Sequence, residues 1–336
     1  MRLSLLVLVF LLCGCMDKEY SQQHYVFGTL VEVSVYGEKK AKAEDAINAV
    51  MKKFGQMHLE LHAWKPSEIT ELNKAFAAGK SVRIDPEVAA IIKDATLLSD
   101  QSKGLFNPAI GELIGLWGFQ NDEFKPVRPD PEKIMKLVAE HPQMDDIVIK
   151  DDVAYSKNPA ARLDLGGFAK GYALDVAAAI LKEKGVENAL INIGGNIMAL
   201  GTHGDRPWHV GIKAPRGSGA IAEIDLHDGE AIGTSGDYQR YFFLDGKRYC
   251  HIIDPRTGYP AQGVEAVTVL IPGGPHAGAL SDAASKPIFI SGLNGWRKAA
   301  GEMGVDSALL IDDKGNIHVT QALSKRIRFE KADGVE

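Results

Sequence analysis

Apolar and polar residues alternate along many short stretches of the chain and follow a helical spacing along a few longer ones. Residues 26–36 alternate, which predicts a strand with one buried face. Residues 42–57 place an apolar side chain every three or four positions, which predicts a helix. Asp85 and Pro86 predict the start of another helix, ending at Gly104, because Asp caps a first turn and Pro fits its first position.

Strands dominate the second half of the chain. Residues 168–185 and 277–291 have the helical spacing, and a further helix is predicted between Pro131 and His141. Long runs of strands with few helices between them indicate an α+β fold. The predicted strands cover residues 146–149, 153–156, 161–165, 191–200, 209–212, 220–226, 230–234, 241–244, 249–253 and 264–271, with a final hairpin of 309–311 and 317–320.

The length and the charge of the chain limit what it does. It has 336 residues, a formal net charge of −6 and no basic tract. That length provides ample core for one large domain or two intimate ones, and the chain has no repeat or low-complexity segment. The acidic balance argues against nucleic acid as a partner. We therefore predict a single domain over residues 25–325 and a C-terminal tail over residues 326–336.

The first residues have the pattern of an export signal. Arg2 is followed by an apolar run over residues 3–12, which is too short to span a bilayer, and by the sequence LCGC ending at Cys15. Leu-x-Gly-Cys resembles the bacterial lipobox, which implies a signal peptide over residues 1–14 and acyl chains on Cys15. The alternative is an ordinary signal peptide that contains cysteines. We favour the lipobox, because the apolar run ends at this cysteine and a polar segment follows.

A lipid on Cys15 predicts where the protein resides. Acyl chains hold a protein on a membrane without a transmembrane helix. We expect a lipidated tether over residues 15–24 and a location on the bacterial cell membrane, facing the periplasm or the extracytoplasmic side. With Cys13 removed and Cys15 acylated, Cys250 has no partner within the chain, so the fold uses no disulfide in spite of its oxidising setting.

The sequence DLGGFAKGYALD, residues 164–175, joins a predicted strand end to a predicted helix. Phe168 and Tyr172 begin an apolar face of that helix, which continues to Val176 and Ile180. A glycine turn before a helix N-terminus offers N–H groups to a phosphate, and Lys170 adds a positive charge. The alternative is that the glycines only make a tight turn. The sequence matches neither the P-loop nor the GxGxxG pattern.

A second polar block runs from TSGDYQRYF, residues 234–242, to HIIDPRTGYP, residues 251–260. His251 is a candidate general base, because it stands near the end of a predicted strand. A thiol nucleophile at Cys250 is rejected, since alternation places Cys250 and His251 on opposite faces of a strand. The block's hydroxyl and charged groups are expected to converge on one cleft: Thr234, Ser235, Asp237, Arg240, His251, Asp254 and Thr257.

These motifs together resemble one family. DLGGFAKGYALD followed by INIGGN resembles the central motif of the ApbE family, the FAD:protein FMN transferases, and the TSGDYQRYF and HIIDPRTGYP blocks follow in the family's order. The resemblance extends over about residues 26–321. It implies a T-fold-like core, mainly antiparallel sheet with helices packed on one side. It also implies transfer of FMN from FAD to a serine or threonine hydroxyl of another protein, releasing AMP.

The resemblance also implies which residues hold FAD. FGT at residues 27–29 resembles the family's MGT, whose first residue packs on the flavin, so Phe27 takes that place. Trp64, in a segment similar to the family's aromatic-x-Pro pattern, is expected to stack on the flavin ring, with core packing as the alternative. Phe106 belongs to the flavin pocket, Asp164 holds the cofactor, and Thr257 contacts FAD.

The implied reaction centre contains four residues. His251 is the base, and Lys170 helps to position the pyrophosphate. Asp282, in the third block HAGALSDAASK, matches the family's metal-binding aspartate, and the main-chain carbonyl of Gly167 is the implied second ligand. Mg²⁺ prefers such hard oxygen ligands and accepts few from protein, with phosphate oxygens and water completing its shell.

Two positions depart from the family's pattern. Lys286 stands where the family usually has a threonine metal ligand, and a protonated lysine does not ligate Mg²⁺. Either its side chain points away, or it supplies positive charge in place of part of the metal's role. Asn107, Pro108 and Ala109 stand where the family typically carries Asp-x-Thr after a phenylalanine, which leaves the flavin pocket with altered hydrogen bonding.

The sequence leaves three functions open. The favoured one is the Mg²⁺-dependent FMN transferase, with membrane-associated electron-transfer flavoprotein subunits as the acceptors that the resemblance implies. The first alternative is an FAD pyrophosphatase, in which water replaces the acceptor hydroxyl and the products are FMN and AMP. The second is a non-catalytic FAD-binding lipoprotein, which the departures at Lys286 and Asn107 keep under consideration.

Overall fold

A computed structural model describes residues 18–121 and 123–330 of the chain. The predicted signal peptide, Cys15 and residues 331–336 lie outside the described residues. None of the described helices is long and apolar enough to cross a membrane. The helices are α1 (Lys40–Glu60), α2 (Glu68–Ala77), α3 (Pro86–Gln101), α4 (Gly111–Leu116), α5 (Pro131–Glu140), α6 (Ala169–Glu183), α7 (Ala277–Glu302) and α8 (Gln321–Ser324), with one 3-10 turn at Met144–Asp146.

The strands extend along most of the chain, mainly in its second half. They are β1 (Glu19–Val26), β2 (Thr29–Tyr36), β3 (Val82–Arg83), β4 (Ile147–Lys150), β5 (Val153–Ser156), β6 (Ala189–Ile193), β7 (Asn196–Leu200), β8 (Trp208–Lys213), β9 (Ala220–Leu226), β10 (Ala231–Gly236), β11 (Tyr241–Leu244), β12 (Lys247–Cys250), β13 (Ile253–Asp254), β14 (Tyr259–Pro260), β15 (Val264–Ile271), β16 (Ser307–Asp312), β17 (Ile317–Val319) and β18 (Ile327–Phe329).

One antiparallel sheet of eight strands, in the order β1-β2-β6-β7-β10-β15-β16-β17, forms the middle layer. Helices α1, α2, α3, α6 and α7 contribute to the main apolar core on one face. The three-stranded sheet β18-β9-β8 covers the other face and encloses a second core. Every residue of β15 is buried for that reason, whereas an antiparallel strand with one wet face alternates. The predicted α+β class and the helices on one side are confirmed.

The ordered domain is longer at both ends than the predicted residues 25–325. Residues 19–24, assigned to the tether, belong to β1, which pairs along its whole length with β2. Ile327, assigned to the tail, is buried in the second core, and β18 pairs with β9. Polar side chains at the start of β1 suit an edge strand of the sheet, which is why their composition resembled that of a tether.

Several elements differ from the predictions. The single strand predicted for residues 26–36 is two strands that turn at Phe27 and Gly28, both with positive φ. Helix α2 was missed, although Ser67 and Thr70 form a capping box at its start. Helix α7 continues past the predicted residue 291 to Glu302, across a kink at Gly292.

The buried face of α6 also differs from the prediction. Phe168 precedes the helix and is fully buried, but Tyr172, Val176 and Ile180 are only half-buried. The helix instead buries mainly small residues, because α7 and the sheet approach its backbone closely. Its buried residues are Ala169, Gly171, Ala173, Leu174, Ala177, Ala178 and Leu181.

Candidate functional site

A cavity of about 990 Å³ brings most of the predicted site residues together. Its lining comes from the Phe27 turn, the segments around Trp64 and Phe106, the DLGG turn, the start of α6, the first half of α7 and the segment after β12. The predicted site residues that line it are Phe27, Trp64, Phe106, Asp164, Gly167, Lys170, His251 and Asp282, and Lys286 lines it with them.

Glycines in α6 and β10 allow α7 to pack closely against these two elements. This close packing places polar residues of α7 in the cavity wall. A Cβ added at Gly171 of α6 would lie 2.3 Å from the carbonyl oxygen of Gly278 and 2.5 Å from the Cβ of Asp282. A Cβ at Gly233 of β10 would lie 2.2 Å from the carbonyl oxygen of Ser281. Side chains at these positions would push α7 away, so the glycines fix where Asp282 and Lys286 stand.

Asp175, the last residue of the DLGGFAKGYALD motif, holds the start of α7. Its Oδ1 accepts from the N–H of Gly278 at 2.8 Å, and its Oδ2 accepts from the N–H of Ala279 at 2.8 Å. The residue before the helix, His276, has a positive φ and no side-chain cap bond, so Asp175 supplies the cap from the neighbouring helix. The motif alone did not indicate this role for Asp175, although the residue lies within it.

We expect Asp175→Ala to lower the free energy of unfolding by about 2 kcal/mol, because two N–H groups at the start of α7 lose their acceptor. Urea denaturation measures this change. Asp85→Ala is the matched control, since Asp85 caps α3 by accepting from a single N–H group, that of Glu87. Equal losses in the two variants would show that Asp175 is an ordinary cap and that it does not position α7.

Asp282 and Lys286 form a buried ion pair in the cavity wall. The Asp282 side chain is 1% exposed and the Lys286 side chain 14%. The ammonium contacts Asp282 Oδ1 and donates to the Asp282 carbonyl oxygen at 2.7 Å, while Oδ2 accepts from the Gly171 N–H at 2.9 Å. Burial opposes ionisation of Asp282, but the charges of Lys170 and Lys286 outweigh it and hold the pKa of this carboxyl below its usual value.

Lys286 therefore points toward the predicted metal ligand. Burial lowers the pKa of Lys286 to about 8, against the attraction of Asp282, so the ammonium form predominates at neutral pH. Its stem also passes the other predicted ligand, since a Cβ added at Gly167 would lie 3.3 Å from Lys286 Cε. Lys286 thus contacts Asp282 and lies close to Gly167, the two residues that were expected to bind Mg²⁺.

The residues present do not fit the predicted magnesium site. Both carboxylate oxygens of Asp282 already accept hydrogen bonds, one of them from a cation. Within residues 18–121 and 123–330, no group of three or more His, Cys, Asp or Glu side chains is arranged to hold a metal ion. The lysine replaces the family's threonine with a positive charge, and a second cation at the same carboxylate would be repelled. We route no step of the reaction through a metal.

The DLGG turn is held by Asp164 and Trp64. Asp164 Oδ1 accepts from the Gly166 N–H at 2.8 Å, and Oδ2 accepts from the Trp64 indole N–H at 2.9 Å. Lys170 Nζ donates to the Gly166 carbonyl at 3.1 Å, which places this ammonium beside the turn. The Gly171 N–H is donated to Asp282, so the helix N-terminus is only partly available to a phosphate, in contrast to the prediction.

Aromatic residues line the part of the cavity next to that turn. Phe27 lies edge-on to Phe54, with ring centroids 5.6 Å apart, and Phe106 lies 6.2 Å from Phe168. The Arg162 guanidinium covers one face of the Trp64 ring at 4.3 Å, a cation–π contact that was not anticipated from the sequence. Trp64 is thus packed on one side and lines the cavity, and its stacking on the flavin stays a prediction.

Asn107, which departs from the family's pattern, forms hydrogen bonds with the surrounding backbone. Its Oδ1 accepts from the Ala109 N–H at 3.0 Å, and its Nδ2 donates to the Pro142 carbonyl at 2.9 Å. The residue is buried, and these two bonds hold the loop that carries Phe106. The amide therefore stabilises the wall of the cavity.

His251 stands in the cavity as a neutral imidazole. Its Nδ1 lies 3.3 Å from the Arg240 carbonyl oxygen, which only accepts, so Nδ1 carries the proton and Nε2 keeps its lone pair. Burial and the positive charges of Arg240, Lys170 and Lys286 lower the pKa of His251 to about 3. A neutral imidazole with an available nitrogen is the form that a general base requires.

Cys250 takes no part in this site. Its side chain is 1% exposed and belongs to the main core, while the neighbouring His251 lines the cavity. Burial raises the pKa of the Cys250 thiol to about 12, which leaves it protonated. The alternation argument against a thiol nucleophile agrees with this arrangement.

Three residues of the second block do not line the cavity. Thr257 lies in the exposed turn between β13 and β14, where its hydroxyl accepts from the Tyr259 N–H at 3.2 Å. Its predicted contact with FAD has no support in this arrangement, because the turn packs against α4 and α5 through Gly258. Asp254 pairs with Arg256, and Asp237 pairs with Arg216, so both carboxylates stabilise loops outside the site.

The chain is similar to proteins of known activity. A model of the ApbE family matches residues 27–309. The FAD:protein FMN transferase of Rhodobacter capsulatus is 42% identical over 94% of this chain, which spans 59% of that protein's length. The FAD:protein FMN transferase of Treponema pallidum is 31% identical over 96% of this chain and 94% of its own length.

Solved structures have the same architecture. The crystal structure of the ApbE protein from Thermotoga maritima has a TM-score of 0.83 and 32% identity, covering 94% of this chain and all of that one. The apo form of the flavinyl transferase ApbE from Pseudomonas stutzeri has a TM-score of 0.78 and 27% identity, covering 92% of this chain and 97% of that one.

Proposed function

The chain belongs to the ApbE family of FAD:protein FMN transferases, and we propose that it transfers FMN from FAD to a serine or threonine hydroxyl of another protein, releasing AMP. The observation that carries this proposal is one cavity lined by a neutral His251, by Lys170 and Lys286, and by the DLGG turn. Those groups match the needs of the reaction, which are a base for the hydroxyl and positive charge for a pyrophosphate.

The histidine and the two lysines each have a role in the bond changes of this reaction. The acceptor hydroxyl oxygen attacks the phosphorus of the FMN half of FAD, and a phosphoester bond forms. The bond from that phosphorus to the bridging oxygen breaks, and AMP leaves with the electron pair. The hydroxyl proton passes to His251, whose Nε2 carries the free lone pair. Lys170 and Lys286 stabilise the negative charge on the phosphate oxygens.

The aromatic side of the cavity suits the flavin. Phe27 and Trp64 offer apolar surface to a planar ring, and the indole N–H of Trp64 is already satisfied by Asp164. Asp164 then acts on FAD indirectly, because both of its oxygens hold the wall of the site. We propose these residues as the flavin-binding side and the lysines as the phosphate-binding side.

Intact-mass measurement of an acceptor protein tests the proposal. The full chain, extracted in detergent, is incubated with FAD and an exported flavoprotein subunit that carries an acceptor threonine. We expect the acceptor to gain the mass of FMN and AMP to appear in equal amount. FMN and AMP in solution without modification of the acceptor would establish the pyrophosphatase. FAD binding without turnover on several acceptors would establish the carrier and overturn the proposal.

The neutral state of His251 leads to a prediction about pH. A base with a pKa of about 3 is already unprotonated throughout the range from mildly acidic to neutral pH, so kcat/KM should show no acidic limb near the ordinary histidine value. A pH–rate profile of FMN transfer at saturating acceptor measures this. A fall in kcat/KM below about pH 6.5 that is absent in His251→Asn would show that the imidazole becomes charged there in the free enzyme. That result would contradict the low pKa of His251.

We also propose that Cys15 carries acyl chains and that the protein is anchored to the cell membrane on its extracytoplasmic side. The lipobox-like sequence that ends at Cys15 supports this. A lipid anchor brings the site to membrane-associated electron-transfer flavoprotein subunits, which we propose as acceptors. Mass spectrometry of the N-terminal peptide tests the anchor, since an unmodified Cys15 or retention of residues 1–14 would contradict it.

A further inference from the structure

Lys286 lies on the side of the cavity where the negative charge of a pyrophosphate would need a cation. Its ammonium contacts Asp282 Oδ1 and donates to the Asp282 carbonyl oxygen at 2.7 Å. The side chain is 14% exposed and lines the cavity, and its ammonium is held by Asp282. The stem also lies near Gly167, since a Cβ added at Gly167 would be 3.3 Å from Lys286 Cε.

The oxygen atoms around Asp282 are engaged within the protein. Oδ2 accepts from the Gly171 N–H at 2.9 Å. The Ser285 hydroxyl lies 2.8 Å from the Asp282 carbonyl oxygen and 2.6 Å from the hydroxyl of Ser235. All three residues are buried. A divalent ion would have to displace an ammonium and compete with these bonds, which makes the carboxylate a poor metal ligand.

Positively charged side chains outnumber the buried Asp282 carboxylate at this site. Lys170 Nζ donates to the Gly166 carbonyl at 3.1 Å and the Lys286 ammonium contacts Asp282, so two ammonium groups line the cavity beside one buried carboxylate. The excess positive charge faces the cavity, where it can balance the negative charge of a pyrophosphate. A bound Mg²⁺ would supply the same charge, and the lysine supplies it without a metal.

We propose that Lys286 replaces a divalent metal ion in this site, so that FMN transfer by this protein does not require magnesium. The inference rests on the proposed transferase function. The bond changes stay as described above. The Lys286 ammonium binds the pyrophosphate oxygens and stabilises the charge that develops as the bridging oxygen leaves with AMP.

The first experiment measures the metal requirement. The full chain in detergent is stripped with EDTA and assayed by intact mass of the acceptor, with FAD alone and with FAD plus MgCl₂. We expect transfer without metal at a rate within about twofold of the rate with MgCl₂. A loss of about tenfold or more after EDTA, restored by MgCl₂, would overturn the inference and leave the transferase function intact.

The second experiment creates a metal requirement. Lys286→Thr removes the cation, frees Asp282 Oδ1 and adds a hydroxyl oxygen of the kind that Mg²⁺ accepts. We expect this variant to lose transfer by about a hundredfold in EDTA and to regain part of it with MgCl₂. Lys298→Thr is the matched control on the same helix, because the Lys298 side chain is 81% exposed and lies outside the cavity. Loss of transfer in Lys298→Thr would show that a substitution anywhere in α7 lowers activity, which would contradict a specific role for Lys286.

A binding measurement separates failure of this inference from failure of the proposed function. Calorimetric titration of MgCl₂ into the FAD-saturated protein needs no acceptor and no turnover. We expect no magnesium binding to the unaltered chain and binding to Lys286→Thr. Tight binding to the unaltered chain would overturn the inference even if no acceptor is ever modified. Absence of binding in both proteins would show that Asp282 is no metal ligand even when freed, which would also overturn it.

Discussion

Replacement of His251 by asparagine is expected to slow FMN transfer by about a hundredfold or more, the usual contribution of a general base. The asparagine amide can still donate to the Arg240 carbonyl, as Nδ1 of His251 does, but it has no basic nitrogen. FAD binding should change little, because the proposed contacts to the pyrophosphate come from lysines and those to the flavin from aromatic residues. Single-turnover transfer by intact mass measures the rate, and quenching of flavin fluorescence measures the affinity.

Cys250→Ser is the control for this prediction. The thiol neighbours His251 in the chain but lies in the main core, so its loss should lower stability and leave the transfer rate near that of the unaltered chain. A variant at Cys250 that folds normally and transfers no FMN would contradict the assignment of the base. Unchanged transfer in His251→Asn would do the same.

Replacement of Gly171 by alanine is expected to lower the free energy of unfolding by about 3 kcal/mol. The added Cβ would lie 2.3 Å from a backbone oxygen of α7, and backbone atoms cannot rotate away as a flexible side chain can. The Gly171 N–H also donates to Asp282, so movement of α7 would disturb the ion pair of Asp282 and Lys286. Urea denaturation measures the stability, and FAD affinity of the folded variant measures the effect on the site.

Gly55→Ala in α1 is the matched control. A Cβ there meets no atom within 4 Å, and the position is helical. Alanine should raise the free energy of unfolding by about 0.5–1 kcal/mol, because it removes freedom from the unfolded chain. If Gly171→Ala behaved like this control, the close approach of α6 and α7 would not be what places Asp282.

Sequence patterns indicated the α+β class, and the resemblance of the motifs to the ApbE family implied most of the candidate site. Alternation and helical spacing depend on neighbours along the chain, so they located most strands, the start of α3 at Asp85 and the helix after the DLGG turn. Motifs keep the residues of a site at fixed spacings in the chain. The resemblance of these motifs to the ApbE family implied Phe27, Trp64, Phe106, Asp164, Lys170, His251 and Asp282 as site residues, and all seven line one cavity.

Other features depend on contacts between residues that are far apart in the chain, and only the folded structure showed them. Sequence spacing does not show that Asp175 caps α7, that the Asp164 carboxylate accepts from the Trp64 indole N–H, or that Thr257 lies outside the cavity lining. It also left open where Lys286 points. The packing of α6 and β10 against α7 settled this, because it buries Asp282 with the ammonium as its partner. A buried carboxylate without a compensating charge would be costly, and here that charge comes from a lysine of the chain itself.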